Sequence, residues 1–187
     1  STYANNELSI GARINVATPD GNFKIAQNGK SSTFFAAGSG ITPIISIIKQ
    51  QLFNAKNNKV VLFYANRSEE DVIFKDTFPN QLTVHHLFTR DKSNSNTFSG
   101  RIDKIKCQEF LISKDLNIHS DDFYMCGPEE MTLSIKEFLL ENKVNEKNIH
   151  FELFNSSEAT DGKFESSIEQ AIVVAIIDTQ LQRRTHC

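Results

Sequence analysis

The amino-acid sequence predicts an α/β fold in which a five-stranded parallel sheet is flanked by helices. From residue 32 onward, short apolar runs alternate with helical stretches, which is the pattern of βαβ units. The first of these runs leads directly into a turn that contains two glycines and then a proline. At 187 residues and 39% hydrophobic content, the chain can form one domain and part of another.

The predicted strands and helices alternate along the chain. Five apolar runs are predicted as strands, over residues 32–37, 59–65, 82–89, 122–126 and 149–154. Helices are predicted between them, at residues 43–55, 69–77, 104–114 and 129–142. The second helix has a start signal, because Ser68 and Asp71 have the spacing of a capping box.

Both ends of the chain differ from this alternating pattern. Short apolar segments at residues 8–10, 12–16 and 23–25 are separated by turn residues, which is typical of the end of a β-rich unit. The polar residues 155–170 indicate a linker, and the apolar run at 171–179 is predicted to begin another β unit. Because the first residue is Ser1 and not methionine, we expect a processed or truncated product.

Charge and hydropathy exclude several classes of partner. A formal net charge of -3 argues against nucleic acid. The longest apolar run near the end, residues 171–177, is far shorter than the roughly 18 residues that cross a bilayer. The first residues do not have the pattern of a signal peptide, so we expect none. We therefore expect a cytoplasmic protein with no nucleic-acid or membrane partner.

The cysteines give no sign of a metal site. Cys107, Cys126 and Cys187 are odd in number and lack short pair spacings, so neither a disulfide framework nor a zinc site is supported. The cysteine run of a plant-type iron–sulfur cluster is missing as well. No metal ligands are predicted in this chain.

The turn at residues 38–43 is the first candidate site. Gly38, Ser39 and Gly40 follow a predicted strand, and Pro43 stands where the next helix begins. Glycine lets the backbone approach a ligand closely, and a helix N-terminus offers free N–H groups to a diphosphate. A plain strand-to-helix turn is the alternative. Pro43 replaces the third glycine of the GxGxxG fingerprint, which argues against a Rossmann dehydrogenase of the usual type.

The second candidate site lies at the end of the second predicted strand. NAD-specific Rossmann enzymes carry an acid there that bonds the ribose hydroxyls, whereas this chain has Asn66 and Arg67. A guanidinium at this place favours a 2′-phosphate, which it binds through charge-assisted hydrogen bonds. The alternative is a solvated arginine that pairs with Glu70 or Asp71.

The third candidate site is the end of the fourth predicted strand, where Cys126 is followed by Gly127 and Pro128. This is the carboxyl edge of a parallel sheet, where ligands bind in open α/β folds. The alternative is that Cys126 is an ordinary small core residue. No histidine accompanies it in the motif, so we do not predict a nucleophile.

The stretches AAGSGITP, YANRSEEDVIF and YMCGPEEM, in this order, resemble the pyridine-nucleotide-binding domain of the ferredoxin–NADP reductase superfamily. The resemblance covers about residues 1–155 and is strongest to reductases with a C-terminal plant-type ferredoxin domain, such as the reductase subunits of phenylacetyl-CoA epoxidases in phenylacetate degradation. It implies a diphosphate site formed by Gly38, Ser39, Gly40, Ile41, Thr42 and Pro43. It also implies that Cys126, with Gly127 and Pro128, shapes the catalytic pocket where hydride passes from nicotinamide to flavin.

The resemblance bears on the choice of nucleotide. NADP-preferring members grip the 2′-phosphate with a Ser-Arg pair after the third strand, and Thr89 and Arg90 stand at the similar place. Together with Arg67 they favour NADPH over NADH, although NADH stays an alternative. Arg101 is expected either to line the same pocket or to cap the next helix. Arg67 and Arg90 have the alternative of being plain surface residues.

The resemblance also implies a division into domains. Residues 1–28 are expected to be the C-terminal remnant of an antiparallel FAD-binding β-barrel, with Ser1 at its phosphate-binding motif, although the R-x-Y-S flavin motif is absent. Residues 29–155 are expected to be the NAD(P)-binding domain, in which Phe154 packs near the flavin or is an ordinary core aromatic. Residues 156–187 are expected to be a linker and the start of a truncated ferredoxin domain, whose 2Fe-2S cluster residues are missing.

These expectations combine into one function and two alternatives. The resemblance implies a reductase that passes electrons from NADPH through FAD to an iron–sulfur domain and then to an oxygenase. The first alternative is a flavohaemoglobin-type or other electron-transfer reductase, since one fold serves many acceptors. The second is a fragment that binds nucleotide without turnover.

Overall fold

The computed structural model describes residues 3, 6–15, 21–26, 31–54, 59–90, 98–113, 115–120 and 122–153. The chain divides into two compact units, one formed by Ser1–Asn22 with Ser157–Cys187 and the other by Phe23–Ser156. In the first unit, Glu7 N–H donates to the Tyr3 carbonyl at 3.0 Å, which closes a turn. None of the described residues before Ser32 lies in a strand. The β-rich unit expected there stays a prediction.

A six-stranded parallel sheet forms the centre of the second unit. Its strands are β1 Ser32–Ala37, β2 Val60–Asn66, β3 Leu82–Phe88, β4 Phe98–Ser99, β5 Asp122–Gly127 and β6 Ile149–Leu153. Their order is β4-β3-β2-β1-β5-β6, and every neighbouring pair is parallel. β2 and β5 are buried along their whole length, as expected for inner strands covered on both faces.

Three α-helices in the described part of the chain cover the two faces of this sheet. They are α1 Ile41–Asn54, α2 Lys104–Ile112 and α3 Glu129–Glu141. The core on the α1 side contains Phe34, Leu62, Tyr64, Tyr124 and Cys126 from the strands. The core on the side of α2 and α3 contains Phe35, Phe63, Phe123 and Met125. Successive strand residues thus alternate between the two cores, because side chains of a β-strand point to opposite faces in turn.

The parallel α/β fold is confirmed, and the five predicted strands form with ends within a residue of those predicted. The number of strands differs from the prediction, because the sheet has six strands and not five. The additional strand, β4, contributes only Phe98 and Ser99, which pair with Leu87 and Phe88. So short a strand has no periodic pattern that a sequence could reveal.

The prediction of a helix over residues 69–77 is wrong. Two short 3-10 turns, Glu69–Asp71 and Lys75–Thr77, stand in its place. The capping interaction does form, because the Asp71 carboxylate accepts from Ser68 N–H at 3.0 Å. The helix then stops at the extended, β-branched Val72. Phe74 adopts φ 62 and packs against the α1-side core, so packing of this ring outweighs helix continuation.

The turn after β1 and the end of β5 are in direct backbone contact. Gly40 is buried, and a Cβ added to it would lie 2.2 Å from the Cys126 carbonyl oxygen and 2.6 Å from its carbonyl carbon. Gly127 faces the same junction, because its added Cβ would lie 3.1 Å from the Cβ of Ala37. The two glycines allow the two loops to approach closer than any side chain would permit.

We expect Gly40→Ala to lower the free energy of unfolding by roughly 3 kcal/mol or more, because the new methyl group would overlap backbone atoms. Gly38→Ala is the matched comparison. Gly38 has φ +52 but open space around its Cα, so this variant should cost only about 1 kcal/mol, from left-handed strain. Urea denaturation followed by circular dichroism measures both values. Small and equal losses would contradict the close contact at Gly40.

Candidate functional site

The carboxyl ends of the parallel strands bring the predicted site segments to one edge of the sheet. Residues 38–40 follow β1 and residues 89–90 follow β3. Asn66 is the last residue of β2 and Gly127 the last of β5, and residues 67 and 128 come directly after them. At this edge Thr89 N–H donates to the Asn66 carbonyl at 3.0 Å, and Arg90 N–H donates to the Arg67 carbonyl at 2.9 Å. The two arginines therefore leave the sheet side by side.

The glycine turn itself is a single 3-10 turn, Gly38–Gly40, that leads directly into α1. The Gly38 carbonyl accepts a hydrogen bond from Tyr64 Oη at 3.1 Å. The Ser39 carbonyl accepts one from Thr42 Oγ1. Protein side chains thus bind carbonyl groups of the turn, while the first N–H groups of a helix have no acceptor within the helix itself.

The helices α1, α2 and α3 all begin at this edge of the sheet, and the charges at their starts differ. The start of α2 is already capped by the Asp103 carboxylate. The first turn of α3 carries Glu129 and Glu130, which complement the positive end of the helix dipole. The first turn of α1 contains no acidic residue. The α1 terminus therefore suits a diphosphate from solution, whereas the α3 terminus repels one.

Arg90 lines an open depression of about 590 Å³, and Arg67 directly precedes another lining residue, Ser68, in the chain. The lining residues of the depression are Ser68, Glu69, Glu70, Lys75 and Arg90. Arg67 and Arg90 are both exposed, and within the described part of the chain neither Glu70 nor Asp71 forms an ion pair with Arg67. The guanidinium groups are available to an anionic ligand.

Asn66 supplies an unsatisfied polar atom at the same edge. The residue is 7% exposed, and its Nδ2 makes no hydrogen bond of normal geometry within the described residues. Burial raises the pKa of Tyr64, and the nearby Asn66 side chain opposes that rise. The buried Nδ2 donor of Asn66 gains a hydrogen bond when a ligand supplies an acceptor. The glycine turn, the acid-free helix start and this donor together fit a nucleotide.

Arg101 takes part in a different contact. Its Nη1 lies 3.4 Å from Glu130 Oε2 at the start of α3, with both side chains well exposed. It is not among the residues that line the depression. The cap of α2 is Asp103, whose carboxylate accepts from Lys106 N–H at 2.8 Å. The expectation that Arg101 caps this helix is therefore wrong.

Cys126 is completely buried, and its side chain belongs to the core between the sheet and α1. Burial raises the pKa of this thiol to about 12, with a further contribution from Glu152. A neutral, buried thiol is neither a nucleophile nor an exposed wall of a cleft. What Cys126 presents to the glycine turn is its carbonyl group, which Gly40 contacts.

Two predicted site residues lie outside the described residues. In addition, the structure shows two contacts at the site that the sequence did not predict. Ser1 and Phe154, which the resemblance assigns to flavin, are the residues outside the described ranges. Tyr64 was missed because it lies in a wholly buried strand that shows no alternating pattern. The ion pair between Lys75 and Glu69 was missed because a helix over these residues would place them on different faces.

Metal clusters and membrane spans are both absent from the described ranges. These ranges contain no cluster of three or more histidine, cysteine or acidic side chains arranged to hold a metal. No helix in the described part of the chain has both the length and the apolar character needed to cross a membrane.

We expect the thiols of Cys126 and Cys107 to resist iodoacetamide in the native protein at pH 8, because burial raises the pKa of each to about 12. The same thiols should react fully in urea, which serves as the control. Peptide mass spectrometry after timed labelling gives the rate at each position. Rapid native labelling of Cys126 would contradict its place in the core.

Comparison with known proteins agrees with this architecture. Residues 34–137 match the family described as Oxidoreductase NAD-binding domain. The chain is 30% identical to a component of the 1,2-phenylacetyl-CoA epoxidase of Escherichia coli over 83% of the chain and 47% of that protein. It is 30% identical to the ferredoxin reductase component of 3-ketosteroid-9-alpha-monooxygenase from Mycobacterium tuberculosis over 98% of the chain and 52% of that protein.

A solved structure shares the fold. The flavohem-like FAD/NAD-binding domain of nitric oxide dioxygenase from Vibrio cholerae superposes with a TM-score of 0.67 at 24% identity, covering 82% of this chain and 63% of that one. The chain spans about half the length of the two curated relatives. The family match covers more than half of the chain and includes the glycine turn, both arginines and Cys126. The chain therefore belongs to the oxidoreductase NAD-binding domain family of the ferredoxin–NADP reductase-like superfamily.

Proposed function

We propose that this chain is the NAD(P)H-binding part of a flavin-dependent reductase that passes electrons from NADPH through FAD to an iron–sulfur domain and an oxygenase. The observation that carries the proposal is the acid-free start of α1 behind the Gly38–Gly40 turn. This arrangement favours a diphosphate. The exposed Arg67 and Arg90 extend the site toward the adenosine end of the nucleotide.

The chain's own contribution is to bind and orient the nucleotide. When bound, NAD(P)H supplies the hydride and FAD converts it into single electrons. Gly38 to Pro43 would hold the diphosphate, and Asn66, Arg67, Thr89 and Arg90 would hold the adenosine ribose and its phosphate. Fixing these groups on strand ends sets the direction in which the nicotinamide extends, and such positioning is a large part of catalysis.

For Cys126 we assign a positioning role and no chemical step. Its carbonyl packs against Gly40 and fixes the distance between the diphosphate turn and the loop that starts with Gly127 and Pro128. By the family resemblance, this loop would lie beside the nicotinamide. A rigid contact here would hold the nicotinamide end of the site relative to its phosphate end.

The domain limits and remaining cofactors are part of the proposal. The NAD(P)-binding domain would span residues 29–155, which include the whole family match. Residues 1–28 would belong to an FAD-binding barrel, with flavin contacts from Ser1 and Phe154. Residues 156–187 would lead into a ferredoxin domain that carries the 2Fe-2S cluster. A cytoplasmic location, where NADPH is available, completes this proposal.

The electron acceptor is proposed from the relatives. One is named as part of an epoxidase and another as the ferredoxin reductase component of a monooxygenase. By analogy, the partner of this protein would be an oxygenase. A flavohaemoglobin-type reductase, with a haem-linked acceptor, is the second candidate, since one fold serves many acceptors.

We expect Arg67→Ala and Arg90→Ala to weaken NADPH binding by about 1 to 3 kcal/mol each, because each removes a charge-assisted contact to the 2′-phosphate. NADH affinity should change little. Lys106→Ala, which removes a lysine paired with Glu109 on α2, is the control. Isothermal titration calorimetry with both nucleotides gives the affinities. Equal losses for NADPH and NADH would refute the assignment of these arginines to the 2′-phosphate.

A further inference from the structure

The depression beside Arg90 is lined by acidic as well as basic side chains. Glu69 and Glu70 line it together with Lys75 and Arg90, and Ser68 completes the lining. A pocket built only to bind a phosphate dianion would concentrate cations. The two glutamates therefore require an explanation that the 2′-phosphate assignment does not supply.

Two of the lining residues form an ion pair, between Lys75 Nζ and Glu69 Oε1. The two side chains are 51% and 55% exposed, so solvent and ligands reach both partners. An exposed pair of this kind is weak and exchanges partners readily. A doubly charged phosphate entering the depression would compete with Glu69 for the Lys75 ammonium group.

Local backbone structure holds the pair in place. Asp71 accepts from Ser68 N–H at 3.0 Å and from its hydroxyl at 2.9 Å, which fixes the turn that carries Glu69. The left-handed Phe74 reverses the chain so that Lys75 returns toward Glu69. The Phe74 carbonyl accepts from Thr77 N–H and from Thr77 Oγ1, each at 2.9 Å. The ammonium and carboxylate groups are thus presented on an anchored segment.

The charges of Lys75 and Glu69 also affect the pKa of His86, a residue of β3. Burial lowers the pKa of His86, Lys75 lowers it further, and Glu69 opposes this decrease. The His86 ring stacks on Phe88 with ring centroids 5.8 Å apart. Lys75 and Glu69 therefore lie close to β3, the strand that ends at Thr89 and Arg90.

We propose that Glu69 is a specificity-determining residue that holds Lys75 away from the 2′-phosphate and so limits the preference for NADPH over NADH. The inference rests on the proposed function, since it concerns the same adenosine end of the site. Lys75 is a third cation for the 2′-phosphate, and Glu69 is its competitor. The relative strength of the Lys75 interactions with Glu69 and with the 2′-phosphate sets the preference for NADPH over NADH. Neither residue contacts the diphosphate or the nicotinamide.

A double-mutant cycle tests this inference on the chain itself. The probes are adenosine 2′,5′-bisphosphate and 5′-AMP, which differ only in the 2′-phosphate, and calorimetry gives their affinities. Glu69→Gln should tighten the bisphosphate by roughly two- to fivefold, and Lys75→Met should weaken it by a similar factor, as for an exposed ion contact. Neither variant should change 5′-AMP affinity. In the Lys75→Met background, the gain from Glu69→Gln should largely disappear.

The controls separate failure of this inference from failure of the proposed function. Glu109→Gln, in the Lys106–Glu109 pair on α2, should change neither affinity, and circular dichroism verifies that each variant is folded. If Glu69→Gln tightened bisphosphate binding equally in the wild-type and Lys75→Met backgrounds, or weakened 5′-AMP binding, Glu69 would not compete with the 2′-phosphate for Lys75. Wild-type protein that binds neither probe, or an Arg90→Ala variant that loses both equally, would overturn the proposed function and this inference with it.

Discussion

The contact between Gly40 and the backbone of Cys126 is the constraint on which the site depends. It joins the loop after β1 to the end of β5, and these two strands are neighbours in the interior of the sheet. Because a Cβ at position 40 would lie within 2.6 Å of two backbone atoms, no other residue allows the start of α1 to come so near. The two loops that the family resemblance assigns to the diphosphate and the nicotinamide are therefore held at one fixed separation.

The charges around this rigid junction determine on which side of it an anion binds. The start of α3 carries its own carboxylates, Glu129 and Glu130, whereas the start of α1 carries none. An anion is thus drawn to α1 and away from α3. On the other side of the turn, the paired ends of β2 and β3 present Arg67 and Arg90. The start of α1 therefore suits a diphosphate, and the ends of β2 and β3 suit the phosphate on the adenosine.

Much of this arrangement could be predicted from the sequence. The apolar runs located the five long strands because a buried parallel strand is a continuous apolar segment. The glycine turn was predictable because its residues are contiguous and only a strand-to-helix turn explains Gly38 and Gly40 together with Pro43. The parallel topology then placed the arginines at the same edge, since carboxyl ends of parallel strands coincide.

The rest depends on contacts between residues far apart in the chain. The helix predicted over residues 69–77 does not form because packing of the partly buried Phe74 ring against the α1-side core outweighs a local capping signal. The hydrogen bond from Tyr64 to Gly38 spans 26 positions and leaves no local pattern. Likewise, nothing near Cys126 in the sequence shows that its thiol is buried under α1 while its carbonyl faces Gly40.

An amide-shift titration of the ¹⁵N-labelled chain with NADP⁺ tests the central claim most directly. The claim is that the N–H groups of the turn and the first residues of α1 hold the diphosphate. We expect the largest shift changes to fall on Ser39, Gly40, Ile41 and Thr42, with further changes at Arg67 and Arg90. Binding that leaves residues 39–42 unshifted, or the absence of any shift at saturating nucleotide, would contradict it.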